Sequence, residues 1–279
     1  EVAASVSATD TVASLQGAPV DRDAFRFARP IPDAPAGLTL LALDADVLAR
    51  SSDFRDIRIA DKSNKQIPYL VEKRDEPLVV PVRLVRQESP RGKSIYRIAL
   101  PYATLPWGTR LVLTTSARVF ERDVTLRATT GTRNATLAQE TWRAADPELL
   151  PPALTFEPPR SGHRELELVV DEGENAPLPI ASAELLLPSA VLRFHHPGTP
   201  LVLLYGNREA EAPRYDLSLL APRLFGEPAR ELTLAAAAPR VDEESKKERS
   251  FFWIIIALVA VVLLGMLAKL LRPQTPVSG

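Results

Sequence analysis

The chain has 279 residues, 34 basic and 35 acidic side chains, a formal net charge of -1, and no cysteine. That length suits about two domains. The balanced charge offers no basic field for nucleic acid, and the lack of thiols excludes cysteine nucleophiles, thiolate zinc sites and disulfide frameworks. Arginine far outnumbers lysine, which suggests a GC-rich bacterial genome.

Met266 is the only methionine, so the sequence opens at EVAASVSATD without an initiator. We read this as the expected start of an exported protein whose leader has been removed. Residues 1–22 are small and polar and are expected to form a flexible segment.

From Phe25 to Leu234 the pattern is short alternating or apolar runs separated by turn residues, which predicts an all-β region. The first series is FRFARPI (25–31), LTLLALDADV (38–47), FRDIRIAD (54–61), QIPYLVEKR (66–74) and LVVPVRLVR (78–86). In FRDIRI, Phe54, Ile57 and Ile59 face inward and Arg55 and Arg58 stay wet, with a shift of phase at Asp56 that reads as a bulge. The second series is SIYRIALP, TRLVLTTS, VFERDVTLRAT, LAQETWRA, ALTFEPP, RELELVVD, LPIASAELLLP and PLVLLYG, ending in ELTLAAAAPR. RELELVV alternates cleanly, with Leu166 and Leu168 inward and Glu165 and Glu167 outward. The 26 prolines fall mostly at strand ends and loops, where a sheet protein tolerates them. Strands at this spacing predict two β-sandwich (jelly-roll) domains, 23–92 and 93–237.

The stretch LLYGNREAEAPRYDL (203–217) departs from this rhythm. Leu201 to Leu204 reads as the closing strand of the second sandwich, with Gly206-Asn207 as its turn. Pro213 leads into a short helical turn, capped by Asp216, that buries Leu217, Leu220 and Leu224. Tyr205 and Tyr215 are expected to pack on each other. Should the loop bind something, a protein surface is expected, with Tyr205→Ala harming binding more than stability.

A charged linker (238–250) follows, then FFWIIIALVAVVLLGMLA, an unbroken apolar run from Phe251 to Ala268. Extended through Leu271 it reaches the ~20 residues that span a bilayer core. Trp253 stands near one boundary, Lys269 and Arg272 at the other, and Pro273 stops the helix. We expect one transmembrane helix (251–272) with the body outside the inner membrane and a short tail (273–279) inside. Ala257, Val261, Gly265 and Ala268 fall close to one helix face and would let another membrane helix approach.

SSDFRDIRIADKSNKQIPYLVEKR resembles the opening of an uncharacterised family of exported bacterial proteins with one C-terminal membrane helix. FERDVTLRAT and RELELVVDEGENAPLPIASAELL resemble the galactose-binding-like jelly roll. The resemblance implies a β-sandwich presented outside the inner membrane. It implies no reaction and supplies no catalytic residues.

Chemical signatures are sparse. Adjacent His195 and His196 point to opposite faces of an extended chain, and His163 stands apart, so no zinc site is expected. Asp171, Glu172, Glu174 and Asn175 supply hard oxygens without the ligand spacing of a calcium loop, and read as a solvated turn around Gly173. No nucleophile elbow, phosphate loop, dinucleotide fingerprint or zincin motif occurs. Trp107 and Trp142 are the candidates for stacking on a sugar, although a lone sandwich tryptophan is usually core.

The expected function is that of a membrane-anchored periplasmic accessory subunit without enzyme activity or cofactor. It would dock on a polytopic membrane protein and present a binding face to an envelope partner or polymer. A stand-alone carbohydrate-binding module and an envelope hydrolase are the alternatives. The candidate contact residues are Trp107, Trp142, Tyr205, Asn207, Arg214 and Tyr215.

Overall fold

The computed structural model describes residues 16–130, 133–160 and 162–235. The expected membrane span, its packing face (Ala257, Val261, Gly265, Ala268), the charged linker, the tail and most of the N-terminal segment lie outside the described residues. Among the described residues, no helix is long and apolar enough to cross a membrane.

The described chain is all-β, as its patterning predicts, with fourteen strands in three sheets. One sheet has three antiparallel strands: β1 (Phe27–Ile31), β13 (Leu201–Tyr205) and β3 (Arg58–Ala60), with β13 in the middle. A second has five: β5 (Leu84–Gln87), β6 (Lys93–Ala99), β11 (Glu165–Asp171), β8 (Phe120–Thr130) and β9 (Arg133–Ala144), in that order. The third is built on two long strands, β4 (Tyr69–Pro81) and β12 (Ile180–His196). β12 pairs β4 along one edge. Along its other edge it pairs first with β7 (Arg110–Thr115) and then with β2 (Gly37–Ala42). β10 (Leu154–Phe156) extends the sheet beyond β7, and β14 (Arg230–Thr233) adds a parallel strand beyond β2.

Two main cores result. One draws Ile98, Leu111, Leu113, Leu126, Leu166 and Leu185 from residues 98–187, with Ala45 as an outlier. The other draws Leu41, Val47, Ile57 and Ile59 from the first part of the chain, and Phe194 and Leu203 from the last. Each fully buried aliphatic side chain contributes about 1.5–3 kcal/mol, and the alternation of the strands decides which core receives it.

Several expectations are corrected. The boundary placed at 92/93 falls in the β5–β6 hairpin, inside one sheet. The cores instead change hands along β4 and β12, so one core is drawn from 31–69 and 190–234 and encloses the other in sequence. QIPYLVEKR and LVVPVRLVR, read as separate strands, share β4 through Asp75-Glu76-Pro77. LPIASAELLLP does not stop at Pro188, because the register of β12 shifts between Leu187 and Ser189. A bulge is where a strand tolerates a residue without an N–H.

LTLLALDADV ends as a strand at Ala42. Asp44 then caps α1 (Ala45–Arg50) by accepting from the Val47 N–H at 3.1 Å, and Arg50 pairs with Asp46 one turn earlier at 2.8 Å. Leu201–Leu204, expected to close the second sandwich, pairs instead with β1 and β3 and joins the core of Leu41 and Ile57.

Candidate ligand cleft

The loop after β13 builds a recess beside the three-stranded sheet. The chain leaves Tyr205 through Gly206, whose φ of +87° and closeness to the Phe27 ring leave no room for a β-carbon. The Gly206 N–H donates to Asp56 Oδ2 at 2.7 Å, and buried Asp56 also accepts from the Ser51 hydroxyl. Asp56 is therefore a buried acceptor that braces two loops, not a β-bulge. Asn207 turns inward on its own loop, its Oδ1 accepting from the Glu209 N–H at 3.0 Å. Arg55 and Arg58 donate to the carbonyls of Arg208 (3.3 Å) and Glu211 (2.6 Å), strapping the loop to the segment leading into β3.

Beyond Pro213 the chain enters a 3-10 helix (Asp216–Leu220) and α2 (Ala221–Leu224). Leu217 and Leu224 are buried against Leu70, and Leu220 is half-buried beside them, as expected. Asp216 is not the cap. The cap position is Tyr215, without a side-chain bond, and Asp216 lies in the first turn.

A cleft of about 380 Å³ opens between this segment and the start of the described chain. Pro68, Pro213, Tyr215 and Leu217 supply its apolar lining; Arg58, Arg214 and Asp216 supply charge; and Gln16, Gly17 and Ala18 contribute a further wall. The wall is held in extended pairing: Gly17 N–H donates to the Gln66 carbonyl (2.7 Å) and Gln66 N–H to the Ala18 carbonyl (3.1 Å). Tyr215 is fixed by its hydroxyl, which donates to Gln66 Oε1 at 2.8 Å, and by an edge contact to Tyr69 at 5.4 Å between centroids. Burial pushes the Tyr215 phenol up to about 12, against the opposing pull of the Arg58 charge.

The two arginines differ in kind. Arg58 is pre-positioned, its Nη1 donating to the carbonyls of Arg55 (2.9 Å) and Ile57 (2.6 Å) in addition to its Glu211 bond. Arg214 is exposed and has no hydrogen-bond or ion-pair partner among the described residues.

The structure thus brings Arg214 and Tyr215 together and separates the other candidates. Tyr205 is only 2% exposed. It stacks on Phe27 at 5.2 Å, not on Tyr215, and its hydroxyl donates to Asp46 Oδ2 at 3.0 Å. It supports the fold and cannot present itself to a partner. Trp142 is likewise 2% exposed, edge-on to Phe120, with Nε1 donating to the Pro152 carbonyl at 2.7 Å. Its ring cannot receive a sugar.

Trp107, by contrast, is 71% exposed on a tight turn. Gly108 has φ +77°, and the Thr109 hydroxyl donates to the Pro106 carbonyl at 2.8 Å. The Arg160 guanidinium lies 4.6 Å from the Trp107 ring centroid and is tethered to the Ser52 hydroxyl at 3.1 Å.

The acidic turn DEGEN is solvated as expected at Asp171, Gly173 (φ +56°), Glu174 and Asn175, and departs from expectation at one residue. Glu172 is buried and pairs with buried Arg122 at 2.8 Å, while both its carboxylate oxygens accept from the Leu178 N–H. Glu172 is thus a structural clasp between β8 and the turn. Buried His196 accepts from the Gly198 N–H through Nδ1 at 3.0 Å. Among the described residues, no cluster of histidine and carboxylate side chains has the arrangement to hold a metal ion.

Sequence reasoning missed Arg58, Gln66 and Pro68 as cleft residues. They lie about 150 positions from Arg214 in sequence, and no local signal links them.

The chain matches no protein-family model and no curated protein. Among solved structures it is similar to that of the infectious bursal disease virus Gt strain, at 11% identity over 62% of this chain and 50% of that one, with a TM-score of 0.16. The Gx strain structure gives 14% identity, 71% and 48% coverage, and a TM-score of 0.15. The VP2 subviral particle of the same virus gives 16% identity, 57% and 39% coverage, and a TM-score of 0.14. The chain spans about half the length of the first two. At these TM-scores the likeness carries no argument about fold or function.

Proposed function

We propose that the protein is a membrane-anchored binding subunit that uses the cleft beside Tyr215 to engage an envelope partner. Its sandwiches would be of the jelly-roll, galactose-binding-like kind, and the apolar run 251–271 would hold them next to a polytopic membrane protein on the periplasmic side. The observation that carries the reading is an exposed, unpaired Arg214 beside a fixed Arg58 and an immobilised tyrosine in one recess. Such preorganisation lowers the entropy lost on binding, and anchoring would raise the effective concentration of the cleft near the membrane. A photo-cross-linking amino acid at position 214 of the full chain, in native membranes, should capture one stoichiometric protein. The same probe at Arg91, on the exposed β5–β6 hairpin, should not. No adduct at 214, or the same adducts at both positions, would overturn the proposal.

A second reading is favoured by Trp107 alone: a rigidly presented indole is a platform for a sugar ring. Specific binding of the full chain on a glycan array, lost in Trp107→Ala, would support a carbohydrate-binding module.

A further inference from the structure

We infer that His196 is a pH-operated latch: as a neutral imidazole it holds the turn between β12 and β13 closed, and protonation in mildly acidic solution releases that turn.

His196 is fully buried at the last position of β12, opposite Gly37 of β2 and beside buried Phe194, with 6.0 Å between the ring centroids. Its Nδ1 accepts from the Gly198 N–H at 3.0 Å, so the proton of the neutral ring sits on Nε2. Nε2 is itself buried and has no hydrogen-bond partner among the described residues. An imidazolium carries an N–H at both nitrogens. It would aim one at the Gly198 N–H and the other at no acceptor, and a buried charge without acceptors is costly. The protonated ring therefore fits only when the turn opens and admits water.

The turn has few other ways to hold itself. It reads Pro197-Gly198-Thr199-Pro200, and the prolines have no N–H, so Gly198 and Thr199 supply its only amides. Gly198 takes φ +80° and lies against the β1–β2 connection, where an added β-carbon would come within 3.3 Å of the Ala36 nitrogen. The turn delivers the chain to β13, the middle strand of the three-stranded sheet, so its release slackens the entry to that strand.

Three charged or titratable groups face the ring: Asp33 from the β1–β2 connection, Arg230 from β14 and His195 from β12 itself. Burial holds His196 below the ordinary imidazole value of 6.5; Asp33 pulls it up, and Arg230 and His195 push it down. Because the folded value is depressed, the contribution of the latch is intact above pH 6.5 and is lost as pH falls from there through the folded value.

The test follows the full chain in detergent micelles from about pH 7.5 to about pH 5. It combines hydrogen exchange of the Gly198 and Thr199 amides, corrected for the intrinsic chemical rate, with imidazole nitrogen spectra of the three histidines. The His196 signals, identified by their loss in His196→Phe, should show the Nε2–H tautomer at neutral pH. Protection of the turn should fall about tenfold for each pH unit below 6.5 until the folded value is reached, while the amides of β11 keep theirs. His196→Phe should exchange fast and without that pH dependence. Asp33→Asn should move the release to lower pH and Arg230→Gln to higher pH. Both of these side chains are exposed, so the two variants carry the test should His196→Phe not fold. The inference is overturned if protection of the turn does not depend on pH, if the dependence survives in His196→Phe, if the neutral ring is the Nδ1–H tautomer, or if the two surface variants shift the release the same way.

Discussion

Replacing Tyr205 separates a structural tyrosine from a binding one. Tyr205→Ala removes a ring that is 2% exposed, stacked on Phe27 at 5.2 Å, and tethered to Asp46 by a 3.0 Å hydrogen bond. Truncating a buried aromatic leaves a cavity in a shell that relaxes only partly, at a cost of about 3–5 kcal/mol. Tyr205→Phe keeps the ring and loses only the hydroxyl bond. Asp46 retains its 2.8 Å pairing with Arg50, so the expected cost is about 1–2 kcal/mol. Since each 1.4 kcal/mol is about tenfold in an equilibrium constant, the alanine variant should raise the unfolding constant by roughly a thousandfold. Urea titrations of the full chain in micelles, followed by circular dichroism, measure both variants. The reasoning is refuted if Tyr205→Ala shifts stability by less than about 1 kcal/mol, or if Tyr205→Phe is as damaging as Tyr205→Ala.

The two tryptophans of the sandwich body should respond oppositely. Trp142→Ala should cost about 3–5 kcal/mol, and Trp107→Ala no more than about 1 kcal/mol, the value of its exposed contact with Arg160; denaturant midpoints compare them. Glu172→Gln leaves the Arg122 guanidinium buried without its carboxylate and should destabilise by about 3–5 kcal/mol. Glu172→Leu combined with Arg122→Met should recover much of that loss in the same titration. Burial raises the phenols of Tyr69, Tyr205 and Tyr215 above their ordinary value of 10.0. Because the folded state holds these protons more tightly, their contribution is intact below pH 10 and is lost as pH rises toward and beyond about 12, the Tyr215 value. Denaturation midpoints measured from pH 9 to 12 should therefore fall, and Tyr215→Phe should reduce the fall.

The strands were legible because their side chains alternate about a flat core face. RELELVVD is β11, with Leu166 and Leu168 buried, and FERDVTLRAT is β8. The number and ends of the strands were less so. Pro77 and Pro188 look like stops, yet both sit inside long strands, because a bulge and a pairing register are properties of the neighbouring strand. DADV looks like the end of a strand, but Asp44 is placed to cap a helix that only tertiary packing makes worthwhile. For the site, local sequence pointed to Arg214 and Tyr215, which do share a cleft. It could not show that Tyr205 and Trp142 face inward, because an aromatic beside a turn reads the same on either side of a sheet. The other half of the cleft comes from residues 16–18 and 58–68, which only the pairing of β3 with β13 brings near.

The nested arrangement of the two cores has a consequence for the order of events during synthesis. Residues 78–187 can complete their core as soon as they are made, since all its members but Ala45 lie within that span. The outer core must wait for Phe194, Leu203 and Leu234, while Leu41, Ile57 and Ile59 stay uncovered. About 120 residues separate the halves it joins, Ile31–Tyr69 and Ala190–Leu234, so its closure carries the larger loop entropy and the slower step. During that interval the first half of β4 lacks its partner on β12, and the nascent chain has a waiting edge that the finished protein does not.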